Sequence, residues 1–258
     1  MIEHLSASQI NLYIQCSLKY RYQYIDQIPK PFKSSGLAFG SVMHSAIEWF
    51  HKERIRKKEV PLERLLKIFE TDWFSQRVDT QIQFKDGEDE VKLSLTGKEM
   101  LGIYFNSPLN AIKSAEVPFH VPLLNISTGE EMDVSLEGII DLIEKGDIIV
   151  EFKTSARSID PDSLNDYLQL TAYSYAYRTL FGREPKMLKI INFVKAKTPK
   201  MVVIETSREK RDYERFFYIA REVLKGINSG FFLPKQSFMC KDCEYKNLCK
   251  KWDGNGIP

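Results

Sequence analysis

The segment "EGIIDLIEKGDIIVEFKTSAR", residues 137–157, constrains this chain more than any other. Two apolar runs of strand length flank Lys145-Gly146, which predicts a tight hairpin of antiparallel strands. Each run also carries charge: Asp141 in the first, Glu151 and Lys153 in the second. Burying an unpaired charge costs several kcal/mol or a shifted pKa, so these residues need a compensating partner. Successive side chains on a strand point to opposite faces, so Ile149, Glu151 and Lys153 share one face and Ile148, Val150 and Phe152 the other. Glu137, Ile139 and Asp141 align in the same way. Pairing through the turn brings Asp141 and Glu151 toward one pocket with the Lys153 ammonium beside them. Two acids at a strand end suit Mg²⁺, which takes one or two carboxylates, several waters and phosphate oxygens. The lysine can orient a water or stabilise charge on a transferring phosphate. An E-x-K tripeptide alone is common and is most often a solvated ion pair. The acid ten residues upstream, in a predicted hairpin, makes the combination rarer.

Around the hairpin the pattern alternates between helix and strand. Ser6 followed by Gln9 marks a helix start, with helical spacing over about 8–24 that includes Cys16. Further helices are expected over 37–57, with His44 in its middle, from Pro61 through Val78, and through "KEMLGIYF". From Ser114 the texture becomes strand: "AEVPFHVPL", "MDVSLEGIIDLIE" and "DIIVEFKT". A helix over 163–181 is closed by Gly182 and Pro185, two strands follow at "KMLKIINFVKA" and "KMVVIETS", and a long helix ends near Gly226 or Gly230. The expected fold is α/β, a mixed central sheet flanked by helices. An N-terminal helical region (1–113) precedes the sheet-bearing core (114–232), and a cysteine-rich tail (233–258) follows.

Composition excludes little. A net charge of +2 does not announce a nucleic-acid binder, although "HKERIRKK" and "SREKRDYERFF" are local basic patches. No signal-peptide pattern and no membrane-length apolar run occur, so an intracellular, cytoplasmic protein without a membrane partner is expected. No phosphate-loop motif of the helicase kind is present.

Of the four cysteines, Cys16 stands near the start and Cys240, Cys243 and Cys249 cluster near the end. Disulfides are disfavoured in a reducing compartment. A C-x-x-C pair with two further thiolates suits structural zinc or a 4Fe-4S cluster, and the one-plus-three spacing favours the cluster over a zinc ribbon. Such a cluster would tie the first helix to the tail, so that its binding energy becomes folding energy.

Four motifs together resemble the PD-(D/E)XK nuclease superfamily, and within it the RecB/AddB-like branch whose CRISPR adaptation nucleases carry an iron-sulfur cluster. "GSVMHSAIEWF" is similar to the helical histidine motif, "EGIIDLIE" to the metal-binding aspartate, "IVEFKT" to the E-x-K strand and "QLTAY" to the Q-x-x-x-Y helix. The resemblance implies a restriction-endonuclease-like core and a Mg²⁺- or Mn²⁺-dependent DNA exonuclease acting on single strands or duplex ends. It implies His44, Asp141, Glu151 and the Phe152 carbonyl as metal ligands and Lys153 as the catalytic lysine. Gln169 and Tyr173 fall at the rim, and all four cysteines on a 4Fe-4S cluster. Gln169 and Tyr173 stand four apart on one helical face, so they can reach one place. Glu116 is a further candidate acid, equally explained as a solvated edge residue. Recombination, helicase or CRISPR adaptation proteins are the partners the resemblance suggests. A non-catalytic DNA-binding adaptor and an endonuclease of the same chemistry are the competing readings.

Overall fold

The computed structural model describes residues 2–254. A two-residue strand β1 (His4–Leu5) leads into α1 (Ala7–Gln15), the short α2 (Ser17–Tyr20) and one π-helical turn at Arg21–Ile25. Then come β2 (Lys33–Ser34), α3 (Ser35–Ile55), α4 (Leu62–Asp79), β3 (Ile82–Gln83) and α5 (Glu90–Phe105). The three long strands expected from the sequence follow as β4 (Ile112–Leu124), β5 (Glu131–Glu144) and β6 (Ile148–Ser155). A 3-10 turn at Pro161–Asp166 precedes α6 (Leu168–Phe181), β7 (Met187–Val194), β8 (Lys200–Thr206) and α7 (Lys210–Asn228). A second 3-10 turn at Phe238–Asp242 and the short α8 (Lys246–Cys249) complete the elements.

The fold is α/β with a mixed sheet of six strands, ordered β1-β5-β6-β7-β8 with β4 also on β5. β5 and β6 pair antiparallel, whereas β6 and β7 run parallel. A parallel pair needs a crossover, and α6 supplies it. β2 and β3 form a separate two-stranded ribbon. Two compact units gather residues that are discontinuous in sequence. One holds the chain up to Phe32, His120–Gly138 and the residues from Glu209 onward; the other holds Lys33–Phe119 and Ile139–Arg208.

In the second unit, Phe39, Met43 and Phe50 of α3, Phe69 and Trp73 of α4 and Tyr104 of α5 bury against Val150, Phe152 and Phe193 of the sheet. Each fully buried large apolar side chain contributes about 1.5–3 kcal/mol, so this packing fixes Phe152 and with it the opposite orientation of its neighbours Glu151 and Lys153. In the first unit, α7 carries one apolar face, with Tyr213, Phe216, Phe217, Ala220, Val223 and Ile227 buried.

Three local expectations need correction. The first helix does not run unbroken over 8–24: Ser6 caps it by accepting from the Gln9 N–H at 3.2 Å, but the chain leaves the helix at Cys16 (φ −164°). The break has a tertiary cause, since Ser17 and Leu18 turn to the 233 segment. Leu233 N–H donates to Ser17 Oγ at 2.8 Å, and Leu18 N–H donates to the Leu233 carbonyl at 3.1 Å. The hairpin turn has three residues rather than two, because Glu144 pairs with Ile148. Both Gly146 (φ 88°) and Asp147 (φ 60°) take left-handed conformations. The Asp147 carboxylate offsets that strain by accepting from Tyr177 OH, Arg183 Nη2 (2.8 Å) and Lys113 Nζ (3.4 Å). Finally, the helix expected over 163–181 begins only at Leu168. The Leu164 carbonyl accepts the Tyr167 N–H at 3.1 Å, which closes a 3-10 turn there, and Arg208 Nη2 at 2.6 Å.

Candidate active site

The hairpin register, continued one position beyond Leu142↔Val150, sets Asp141 opposite Glu151. Asp141 Oδ2 accepts the Phe152 N–H at 2.9 Å, so this carboxyl is pinned to the backbone of the next strand. Glu151 is fully buried. Its Oε1 pairs with the Lys153 ammonium, yet neither carboxylate oxygen receives a hydrogen bond of good geometry. The Lys153 ammonium compensates its charge, and the Asp141 carboxyl and Tyr173 hydroxyl also interact with it.

The electrostatics follow from two acids in one dry place. Burial first, and the Glu151 charge second, push the Asp141 carboxyl up to about 9, so it holds its proton at neutral pH. Burial alone would lower the Lys153 ammonium, but Glu151 and then Tyr167 outweigh it and hold the pKa above its ordinary value. Lys153 Nζ donates to Gln169 Oε1 at 2.7 Å, and Gln169 Nε2 donates to the Tyr173 hydroxyl at 2.9 Å. Burial, then Glu151 and Asp141, push the Tyr173 hydroxyl far up.

α3 brings His44 alongside, with Nδ1 at 3.5 Å from Asp141 Oδ2 and the ring edge-on to Phe152. Burial lowers the His44 pKa despite the nearby Glu151 charge, which keeps the imidazole neutral and available as a ligand. Glu116, at a left-handed backbone position (φ 50°), is half-buried and pushed up to about 7 by burial and then by Glu48. Six of the candidate residues, His44, Asp141, Glu151, Lys153, Gln169 and Tyr173, are therefore linked by close contacts, with Glu116 at the margin. Glu48, one helical turn beyond His44, was missed; the i, i+4 spacing from His44 was its only signal. Tyr167, whose ring lies 5.8 Å from Lys153 Nζ, carried no signal beyond standing in a tyrosine-rich segment.

All four cysteines line one cavity of about 320 Å³, together with Leu18, Tyr22 and Tyr245. None of them is in a disulfide. Burial first, then the nearby Cys16, Cys243 and Cys240, push the Cys249 thiol up. Tyr245 OH donates to the Ile28 carbonyl at 2.8 Å and Lys19 Nζ meets Glu244 at 2.5 Å, so the tail is laced to the N-terminal helices around the thiols.

As placed, no set of three or more His, Cys, Asp or Glu side chains among the described residues already converges on one ion position. The donor sets still fit the groups expected. Two carboxyls facing one buried place match the partial protein shell that Mg²⁺ completes with water and phosphate, and four thiols around one cavity match a thiolate-held cluster.

A mixed sheet that presents an acid, an E-x-K strand and a flanking Q-x-x-x-Y helix is a restriction-endonuclease-like architecture. A family model matches residues 4–250, and the chain belongs to the PD-(D/E)XK nuclease superfamily. The crystal structure of a candidate exonuclease from Eubacterium rectale has a similar fold, with a TM-score of 0.60 and 13% identity over 99% of this chain and 90% of that one. A second solved structure, SSO0001, aligns over 96% of this chain and 86% of its own at 13% identity, with a TM-score of only 0.41. No curated protein matches the chain. No helix among the described residues is long and apolar enough to cross a membrane.

Proposed function

We propose that this protein is a divalent-metal-dependent deoxyribonuclease that removes nucleotides from single-stranded DNA or from duplex ends. The observation that carries the reading is Glu151: a fully buried carboxylate, opposite a second carboxyl and paired with the Lys153 ammonium. Asp141, Glu151, the Phe152 carbonyl and His44 would hold the ion. When bound, Mg²⁺ or Mn²⁺ supplies a Lewis acid for the scissile phosphate and lowers the pKa of an attacking water. Lys153 keeps its proton and donates to a phosphate oxygen as charge develops there. Gln169 fixes the direction of the Lys153 amine, and Tyr173 fixes Gln169. The exonuclease mode rests on the likeness to the Eubacterium rectale fold and on the RecB/AddB-like motifs of the sequence.

The cysteine cavity supports a second element of the proposal, a 4Fe-4S cluster that joins the first helices to the tail.

Linear end-labelled and circular single-stranded DNA, incubated with protein and Mg²⁺ or Mn²⁺ beside the Lys153→Ala variant, test the reading. Stepwise loss from linear strands with circles intact is expected. Cleavage of circles would make the protein an endonuclease, and no cleavage at all by cluster-loaded protein would favour the adaptor reading.

A further inference from the structure

Away from the nuclease residues, three strands carry a cluster of metal-binding side chains that the nuclease chemistry does not use. His120 of β4 places Nδ1 at 2.6 Å from Glu137 Oε1, and His4 of β1 places Nδ1 at 3.6 Å from Glu137 Oε2. The two imidazoles thus approach opposite oxygens of one carboxylate. Ser135 Oγ lies 3.5 Å from the same His120 nitrogen. Ser135 and Glu137 are two apart on β5 and so share a face, and His4 is in register with Ser135. The strands therefore fix the spacing of the groups, while their side chains remain open to solvent at 43% for His4, 37% for Glu137 and 69% for His120.

From this arrangement we propose a second metal site, made by His4, His120 and Glu137, that takes Zn²⁺ or a similar borderline divalent ion. Two imidazoles and one carboxylate favour such ions over Mg²⁺, which prefers an all-oxygen shell. Ligand atoms about 2.0–2.2 Å from a tetrahedral ion stand roughly 3.3 Å apart. The observed nitrogen-oxygen separations of 2.6 and 3.6 Å straddle that value; the three groups do not share an ion position as they stand, and the exposed imidazoles must turn for them to do so. Water fills the remaining position, since His120 is the most exposed of the three.

The site gives β1 an anchor beyond the buried Leu5 and its short ladder. β1 pairs with β5 over two residues only, His4↔Ser135 and Leu5↔Leu136. An ion shared among β1, β4 and β5 ties that short strand to β4 as well as to its partner β5, and because the unfolded chain holds no preformed site, binding adds to folding stability.

Titration of the cluster-loaded protein with Co²⁺ in excess Mg²⁺ tests the proposal, with Zn²⁺-dependent melting as a second measurement. One equivalent of Co²⁺ with a visible ligand-field spectrum and no thiolate charge transfer is expected, and Asp141→Asn should retain it. Glu137→Gln and His120→Asn should each weaken it at least about tenfold, the lower bound seen even for outer-shell losses, and abolish the Zn²⁺-induced rise in Tm. Unchanged binding in both variants would overturn the site and leave a hydrogen-bonded surface cluster only. So would a spectrum dominated by thiolate charge transfer, which would put the ion on the cysteines.

Discussion

The Lys153 ammonium donates to the Gln169 side-chain oxygen at 2.7 Å, so a strand residue and a helix residue separated by the β6–α6 connection act as one unit. Gln169 is in this reading a positioning residue: its own amide is oriented by Tyr173 at 2.9 Å. Gln169→Leu removes the acceptor but not the volume. The expected result is a fall in kcat of about 10–100-fold with little change in KM, the pattern for an interaction made in the transition state. Tyr173→Phe should produce a smaller fall of the same kind. A rise in KM at unchanged kcat would instead make Gln169 a substrate contact.

Lys153→Ala acts directly. It should reduce kcat by on the order of 10²–10³-fold, as loss of one preorganised charge-stabilising donor does. Single-turnover cleavage of labelled DNA at saturating Mg²⁺ measures this without interference from product release. Activity within a few-fold of wild type would remove Lys153 from the chemistry.

Much of this constellation was legible before any coordinates. A two-residue period with acids embedded in apolar runs specified the β5–β6 pair, and four-residue spacing put Gln169 and Tyr173 on one side of α6. Long-range contacts were not legible. Helical spacing continues straight through Cys16, and only the bonds between Ser17, Leu18 and Leu233 end the helix there. The extra turn residue Asp147 depends on Lys113, Tyr177 and Arg183, all at least thirty residues away or on other elements. Nor does local sequence pattern announce the left-handed backbone at Glu116.

Cys243 lines the cavity shared by the four thiols and is a half-buried member of its wall. Cys243→Ala should strip the protein of iron and of visible absorbance, with loss of solubility because the tail is no longer tied down. Anaerobic purification followed by iron, sulfide and zinc analysis checks this. Colourless wild-type protein with one equivalent of zinc would replace the cluster by a structural zinc.

A pH effect on stability comes from His51, whose Nε2 lies 2.6 Å from Tyr104 OH in the core. Burial, and then Arg54, lower its pKa to about 3. The unfolded chain takes up this proton near pH 6.5 while the folded chain refuses it, so the contribution is intact above about 6.5 and is lost as pH falls toward 3. The slope is at most about 1.4 kcal/mol per pH unit. Urea unfolding at pH 7 and pH 5 should show wild type losing more stability than His51→Gln; equal losses would mean that His51 titrates normally.

Asp141→Asn separates the metal site from the fold. With its pKa raised to about 9, Asp141 is already protonated at pH 7 in the absence of a cation, so an amide replaces a neutral carboxyl. Asparagine keeps an oxygen to accept the Phe152 N–H that Asp141 now holds at 2.9 Å. The variant should therefore match wild type to within about 1 kcal/mol without added metal, the scale of one ordinary hydrogen bond. Wild type must release a proton to engage Mg²⁺, and then gains about 2.7 kcal/mol at a hundred times Kd. The asparagine has no charge to offer, so that gain should disappear along with cleavage. Thermal melting of both proteins with and without Mg²⁺ reads the difference, and an asparagine variant stabilised as much as wild type would show that the ion binds without Asp141.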